Sequence, residues 1–228
     1  MEDKTELGLT LADKIIFIVC AAAIGSAAGF FIKILAGWAA KIPIIPFSSL
    51  WEWVSEWDGS WVPITGIVIG VIAGVAFSFY AFHETLHVTV RDENISFRLK
   101  EEEDVISASD VGTVYMDKKV LVVLNHDGRE LYRGEPEAKR YKIADAFQHH
   151  DYPWEEQDPY YNQYQLWVPE HPDFPDNVNA LLASRKKALK EDEEKEAETI
   201  RKDLTSRGFV VRDEKKQQYV RMAGNESS

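Results

Sequence analysis

The chain has 228 residues, a length that suits one or two domains, and its formal net charge of −12 argues against nucleic-acid binding by the molecule as a whole. Hydrophobic residues make up 45% of the chain, but long uncharged stretches lie before residue 83 and most of the charge follows residue 90. The one cysteine, Cys20, excludes an internal disulfide bond and leaves no cysteine-based zinc site.

Two apolar runs near the N-terminus are long enough to cross a bilayer. Residues 15–35 are interrupted only by Lys33, and residues 62–82 carry no charge. About 20 apolar residues span the hydrocarbon core as a helix, so we predict a hairpin of two transmembrane helices. A signal peptide fits the first run poorly, because the run is too long and the residues before it are not basic.

Small residues recur at every fourth position in both apolar runs. Glycines that stack on one face of a helix let two backbones approach closely, which predicts a tight hairpin or a dimer contact. The alternative is that glycine is simply common in membrane helices. The predicted packing residues are Gly25, Gly29, Gly66, Gly70 and Gly74.

The segment between the runs is rich in tryptophan, which prefers the headgroup level of a membrane. Within it, residues 49–57 have the composition of a short interfacial helix. Lys41 is the one basic residue of this loop, whereas basic residues flank the runs on the other side: Lys4, Lys14, Arg91, Arg98 and Lys100. The positive-inside rule therefore predicts a multi-pass cell-membrane protein with both termini in the cytoplasm and the loop outside.

Residues 83–87 match H-E-x-x-H, the zinc-metalloprotease pattern in which two histidines on one helix bind the metal and the glutamate is the general base. Residues 86–92, however, alternate in the manner of a strand, and no later segment supplies an obvious third ligand. We therefore predict no metal, no cofactor and no catalytic residue. A membrane zinc protease using His83, Glu84 and His87 is the alternative.

The region that follows has the pattern of short strands and one helix. Asp127-Gly128 is a strong hairpin signal, and residues 138–149 have helical spacing. The predicted strands are residues 86–91, 95–99, 105–108, 111–116, 120–125 and 130–132. Antiparallel strands closed by one helix predict a small β-barrel that resembles the pleckstrin-homology (PH) type. Residues 147–175 hold five of the nine prolines and eight aromatic residues, which predicts an extended strap across a surface.

The residue pattern of the C-terminal region predicts two helices followed by a β-hairpin. The second helix covers residues 195–206, Gly208 ends it, and residues 209–211 and 219–221 form the hairpin. Residues 180–221 carry 12 basic and 9 acidic residues, a local excess of positive charge. We predict that a partner contacts Arg185, Lys187, Arg201, Lys202, Arg207, Arg212 and Arg221.

This tail is similar to the C-terminal, anticodon-side domain of cysteinyl-tRNA synthetases. The matching residues are Arg185, Ala188, Ala197, Ile200, Arg201, Leu204, Gly208 and Asp213. The family's closing Trp-Arg is departed from, since Tyr219-Val220-Arg221 stands there, and the Asp usual before Ile-Arg is replaced at Glu198-Thr199. The zinc and nucleotide-binding signatures of the synthetase are absent, which excludes aminoacylation.

The whole chain resembles the YqeB family of small bacterial membrane proteins. The two glycine-rich runs and residues 127–131 carry the resemblance, with Tyr152-Pro153-Trp154, Asp158-Pro159-Tyr160 and Val211-Arg212-Asp213. The resemblance implies an α+β membrane protein: a PH-like domain, anchored in the membrane, with a synthetase-like tail. It implies no established activity.

These patterns divide the chain into five segments. They are a transmembrane hairpin (1–84), a PH-like domain (85–150), the strap (151–176), the tail module (177–222) and a disordered end (223–228). We expect a non-enzymatic adaptor that binds a cytosolic protein or RNA, besides the lipid bilayer. The rivals are a purely structural membrane protein that associates only with itself as a homo-oligomer, and the zinc protease.

Overall fold

The computed structural model describes residues 4–39, 41, 48–57, 59, 61–215 and 217–224. The chain divides into two compact units. The helical unit comprises residues 8–85 and 99–101, and the mixed unit comprises the described residues up to 7, residues 86–98 and those from 102 onward.

The helical unit contains the two apolar runs as helices. Helix α1 spans Leu11–Phe30, α2 spans Ile32–Ala39, α3 spans Ser48–Ser55 and α4 spans Trp61–His83. A capping box begins α1: the Asp13 amide donates to the Thr10 hydroxyl at 3.2 Å, and the Thr10 amide donates to the Asp13 carboxylate at 3.1 Å. By length and composition α1 and α4 are both able to cross a membrane, which suggests membrane association.

Glycines lie where α1 and α4 meet. A methyl group built on Gly25 would stand 2.0 Å from the carbonyl oxygen of Gly70, and one on Gly29 would stand 1.9 Å from that of Gly66. One built on Gly74 would stand 2.4 Å from the carbonyl oxygen of Ala21. All five predicted packing glycines therefore occupy a backbone-to-backbone contact within one chain, where a side chain would force the helices apart.

The mixed unit begins with a sheet of four strands. Strands β1 (Lys4–Leu7), β2 (His87–Arg91), β3 (Asn94–Leu99) and β4 (Glu102–Ser107) lie side by side in that order. Leu7 pairs with Val88 and Lys4 with Arg91. Sequence analysis assigned residues 4–7 to the flank of the first membrane helix. They instead form a strand, so the helical unit is inserted between two neighbouring strands of one sheet.

A second four-stranded sheet completes the PH-like domain. Strands β5 (Thr113–Asp117), β6 (Val120–Leu124) and β7 (Glu130–Gly134) form a meander, and β8 (Trp154–Glu155) joins β5 in parallel, giving the order β7-β6-β5-β8. Helix α5 spans Arg140–His149. Side chains from both sheets and α5 share one core, including Val90, Phe97, Val114, Leu121, Val123, Ile143 and Phe147. The predicted strands and closing helix are confirmed, but they form two open sheets.

The strap and the tail form a second core. Strand β9 (Gln165–Leu166) of the strap pairs with β11 (Gln217–Met222), which pairs with β10 (Phe209–Glu214). Helices α6 (Asp176–Lys190) and α7 (Glu194–Ser206) cover one face of this sheet, as predicted. The core contains Trp167, Phe174, Val178, Leu182, Leu204, Val211 and Val220. Most of the predicted disordered end, residues 225–228, lies outside the described residues.

Candidate functional site at the junction of sheet and tail

The seven side chains predicted to bind a partner separate into two groups. Lys187, Lys202 and Arg207 are exposed. The other four are buried, with 8% or less of each residue accessible: Arg185, Arg201, Arg212 and Arg221. A buried guanidinium is not available to a partner at the surface. Of the seven predicted partner-binding residues, only the three exposed ones therefore remain candidates, and the buried arginines make contacts inside the protein.

Arg185 holds the tail module together. Its guanidinium donates to both carboxylate oxygens of Asp213, at 2.8 and 2.6 Å, and to the side-chain oxygen of Gln218 at 2.8 Å. Gln218 in turn donates to the carbonyl oxygen of Leu182 at 3.0 Å. This bidentate pair ties α6 to the hairpin β10–β11, so two residues that carry the synthetase resemblance form an internal brace.

Arg201 connects the tail to the PH-like domain. On α7 it forms ion pairs with Glu198 of the same helix and with Glu130 at the start of β7. The Glu130 side chain is only 6% exposed and also pairs with Arg133 at 2.9 Å. Burial lowers the pKa of Arg201, but Glu198 and Glu130 outweigh burial and raise it. The tail is thus docked on the sheet through a buried charge network.

The sheet β5–β6–β7 is buried on both faces. Val114 and Leu121 face the PH-like core, whereas Tyr115, Val122 and Leu124 form a cluster on the opposite face. Cross-strand pairing places Tyr115, Val122 and Arg133 in one row of that face. Tyr160 of the strap packs against this cluster, so the strap covers part of the second face.

Arg212 and Arg221 stack on tyrosines of the strap. The Arg212 guanidinium carbon lies 4.1 Å from the ring centre of Tyr161 and 4.5 Å from that of Tyr164. The Arg221 carbon lies 4.3 Å from the ring centre of Tyr160 and 5.4 Å from that of Tyr164. Both guanidinium groups therefore make cation–π contacts with one shared ring.

The backbone of the β6–β7 turn completes the junction. Arg221 donates from Nη2 to the carbonyl oxygen of Gly128 at 2.6 Å, and the Gly224 amide donates to the carbonyl oxygen of Asp127 at 2.8 Å. Gly128 has a φ of +72°, a left-handed conformation that favours glycine. The Asp-Gly turn of the PH-like domain is thus itself a contact for the end of the tail.

Several polar atoms buried in this junction have no hydrogen-bond partner among the described residues. They are the hydroxyls of Tyr115 and Tyr164 and the Nε and Nη1 atoms of Arg212 and Arg221. Burial raises the pKa of Tyr115. Burial also raises the pKa of Tyr164, although Arg221 lies near enough to that hydroxyl to oppose the rise without reaching hydrogen-bond geometry. The junction therefore contains several buried N–H and O–H groups that bond to no described protein atom.

The H-E-x-x-H residues do not share a helix. Helix α4 ends at His83 and β2 begins at His87, so the helical spacing that would bring the imidazoles together is broken. Glu84 forms an ion pair with Lys100 at 2.8 Å. Among the described residues no group of three histidine, cysteine, aspartate or glutamate side chains is placed to hold a metal ion.

Comparison with known proteins identifies the relatives of this architecture. The family model described as "YqeB-like bacterial PH domain" matches residues 5–155, a span that includes β1 and the inserted helices. A Bacillus subtilis (strain 168) protein, "Uncharacterized protein YqeB", is 33% identical over 223 residues, 97% of this chain and 93% of the relative. The chain belongs to the YqeB family. Residues 171–221 are similar to the "Cysteinyl-tRNA ligase anticodon binding domain", and no solved structure matches the chain.

Sequence reasoning missed the residues that receive the tail. Glu130 and Tyr160 were noted for the family resemblance, but their contacts with Arg201 and Arg221 join segments more than 60 residues apart. Tyr115 carried one usable signal: it stands between two core-facing residues of a strand, so its side chain had to lie on the other face. An aromatic residue there indicates that the second face is covered too.

Proposed function

We propose that the protein is a non-enzymatic, membrane-anchored adaptor that presents its PH-like domain and tail, as one docked body, to a protein partner in the cytoplasm. The observation that carries the proposal is the buried Arg201–Glu130 ion pair between tail and sheet. A buried ion pair is stable only when its two partners are held in a fixed geometry. The pair is therefore evidence for a tail that is docked on the sheet and not joined to it by a flexible linker alone.

The apolar helices support the membrane anchor. Within the helical unit, many of their aliphatic side chains face outward, with 60–71% of the residue exposed: Ile16, Val19, Ile24, Ile64, Ile69 and Ile72. A helix that is apolar on all sides and not covered by protein suits a lipid environment. The pairing of β1 with β2 supports an even number of bilayer crossings between the two strands. Two crossings place both termini on one side, which the Lys/Arg distribution makes the cytoplasm.

The surface of the tail favours a protein partner over RNA. Four of the 12 basic residues in the segment 180–221 are the buried arginines. The described part of this segment exposes seven basic and seven acidic side chains, so no net positive surface remains. Affinity for nucleic acid depends on neutralising phosphates with exposed Lys and Arg, which a balanced surface does poorly. The residues shared with the synthetase domain, led by Arg185 and Asp213, brace the module internally and leave its outer surface free to diverge.

The test is cross-linking in intact cells, followed by purification of the full chain from solubilised membranes. We expect one protein to be captured by the wild-type chain and lost in a Lys187→Glu/Lys202→Glu variant of unchanged abundance. The matched control is Lys142→Glu, an exposed charge reversal on α5, which should retain the partner.

Two other results would contradict the proposal. Recovery of RNA that is released by salt and lost in the same double variant would make the tail an RNA-binding module. Recovery of other copies of the chain alone would instead make the protein a structural, self-associating one.

A further inference from the structure

We propose that Arg212, Arg221 and the hydroxyls of Tyr115 and Tyr164 form a binding site for a phosphate group at the junction between the sheet and the tail. The proposal goes beyond the adaptor function, and its test involves neither the membrane nor the protein partner.

The two arginines project from one face of the tail hairpin. In the β10–β11 pairing Val210 stands opposite Arg221 and Arg212 stands opposite Tyr219, so these residues share a face. The other face, with Val211 and Val220, packs into the tail core. The arginine face instead meets the strap, where Tyr164 contacts both guanidinium groups.

The lack of a carboxylate partner distinguishes this pair from Arg185 and Arg201, the other buried arginines among the described residues. Arg185 is bound by Asp213, Arg201 by Glu130 and Glu198, and Arg133 by Glu130. Within the described chain, Arg212 and Arg221 have no ion pair, although they are 8% and 2% exposed. Buried charges in proteins are normally paired, because removing an unpaired charge from water is unfavourable. Two buried guanidinium charges next to the Tyr164 ring would be stabilised by a bound anion.

Stacking does not satisfy these guanidinium groups. A cation–π contact uses the flat face of the guanidinium, whereas its N–H donors point outward in the plane of the group. The Nε and Nη1 atoms of both arginines are buried and have no hydrogen-bond partner among the described residues. The stacked tyrosines therefore hold the arginines in place, and N–H donors of each arginine remain for a ligand.

The donor set suits a tetrahedral oxyanion. The Nε and Nη1 atoms of the two arginines supply N–H donors, and Tyr115 and Tyr164 supply two hydroxyls. Tyr115 lies in the cluster against which Tyr160 packs, and Tyr160 and Tyr164 both contact Arg221. Besides burial, the nearby carboxylate of Asp158 raises the pKa of both hydroxyls. Charged N–H donors on two different guanidinium groups can bind separate oxygens of one phosphate, which has enough oxygens for several such contacts. A carboxylate has only two oxygens and would leave part of the set unsatisfied.

The carboxylate of Asp158 opposes an anion at this position. It accepts a hydrogen bond from the Tyr160 amide at 2.9 Å, which fixes it in the turn of the strap. Binding therefore requires both arginines, and the loss of either should weaken it strongly. A phosphate bound here would contact sheet, strap and tail together, so it would also stabilise the docked tail.

The experiment uses the full chain, purified in detergent, with inorganic phosphate as the probe. Calorimetric titration and thermal unfolding are measured against chloride at matched ionic strength. We expect saturable binding and a rise in melting temperature. Arg212→Gln and Arg221→Gln should each weaken binding at least about tenfold, the usual effect of losing hydrogen bonds to a charged group. Lys190→Gln, which removes an exposed charge from the same module, should bind like the wild type.

Tyr115→Phe keeps the test decisive if an arginine variant fails to fold, because it removes one buried hydroxyl and retains the ring. We expect it to weaken phosphate binding with little change in the stability of the free protein. Glycerol phosphate identifies the source of the group: competition with inorganic phosphate at similar affinity would indicate a site open to phosphomonoesters, and exclusion would indicate a free-phosphate site.

Two results would overturn the proposal. One is the absence of saturable binding at millimolar phosphate. The other is equal binding by the wild type and the Arg212→Gln, Arg221→Gln and Tyr115→Phe variants. Either result would mean that buried water hydrates the arginines and that the cluster serves packing alone.

Discussion

At the scale of single residues, arginines with similar sequence surroundings have different roles in this protein. Arg185 and Arg201 both match the synthetase pattern, yet one braces the tail through Asp213 and the other anchors it to Glu130 of the sheet. The planar, always charged guanidinium is suited to both roles because it pairs with two oxygens at once. A positive charge counted in the sequence is therefore not a charge presented at the surface.

Replacing Arg201 with Met should destabilise the docked tail. The change leaves Glu130 buried with Arg133 as its remaining cation, and removing one partner of a buried pair costs about 3 kcal/mol at the lower end of the usual range. We expect a lower melting temperature and faster proteolytic cleavage in the strap. Lys202→Met, at the neighbouring exposed position, should change neither.

A double variant separates the ion pair from a general packing effect. Adding Glu130→Met to Arg201→Met removes both charges, so part of the lost stability should return. If the two single effects simply add in the double variant, the ion pair does not couple tail and sheet, and the docked geometry would be contradicted.

At the scale of elements, the first strand is the largest departure from expectation. Strand β1 has four residues with a mixed pattern, and its partner β2 begins about 80 residues later, beyond the inserted helices. Its side chains are tied into the domain: the Thr5 hydroxyl lies 3.0 Å from Nε2 of His150, and Leu7 is 5% exposed in the PH-like core. Because the partner strand is so distant in the chain, the sequence around residues 4–7 does not by itself indicate a strand.

Leu7→Ala tests whether β1 is part of the folded domain. Removing a buried leucine side chain usually costs about 2–5 kcal/mol, so the melting temperature of the full chain should fall clearly. Glu6→Ala, an exposed change on the same strand, should have little effect. A Leu7→Ala protein as stable as the wild type would mean that residues 4–7 are a membrane flank, as the sequence suggested.

Local patterns predicted what depends on near neighbours in the chain. The apolar runs, the alternating strands of the PH-like region, α5 and the tail module were all visible because each has its own periodicity. Contacts between distant segments were not visible: the pairing of β1 with β2, the burial of Arg212 and Arg221, and the covering of Tyr115 by the strap. These contacts determine the candidate site. Periodicity therefore predicted the elements, while the site required their arrangement.

At the scale of the whole molecule, a helical hairpin inserted within a sheet constrains the membrane topology. Because Leu7 and Val88 are cross-strand partners, the two ends of the insertion leave the sheet next to each other. In the membrane insertion that we propose, the N-terminal strand and the tail share one side of the membrane whichever way the protein is oriented. The orientation that we propose, with both termini in the cytoplasm, rests on the single Lys41 of the loop against the basic residues of both flanks.

Cysteine labelling in intact cells tests these two statements separately. In a Cys20→Ala background, single cysteines replace Glu6 on β1, Glu56 in the loop and Ser206 at the end of α7. All three positions are exposed. We expect an impermeant reagent to label position 56 only, and all three after permeabilisation. Labelling of 6 and 206 but not 56 would reverse the orientation and leave the sheet intact. Opposite labelling of 6 and 206 would contradict the pairing of β1 with β2, because an odd number of crossings would then separate the two strands.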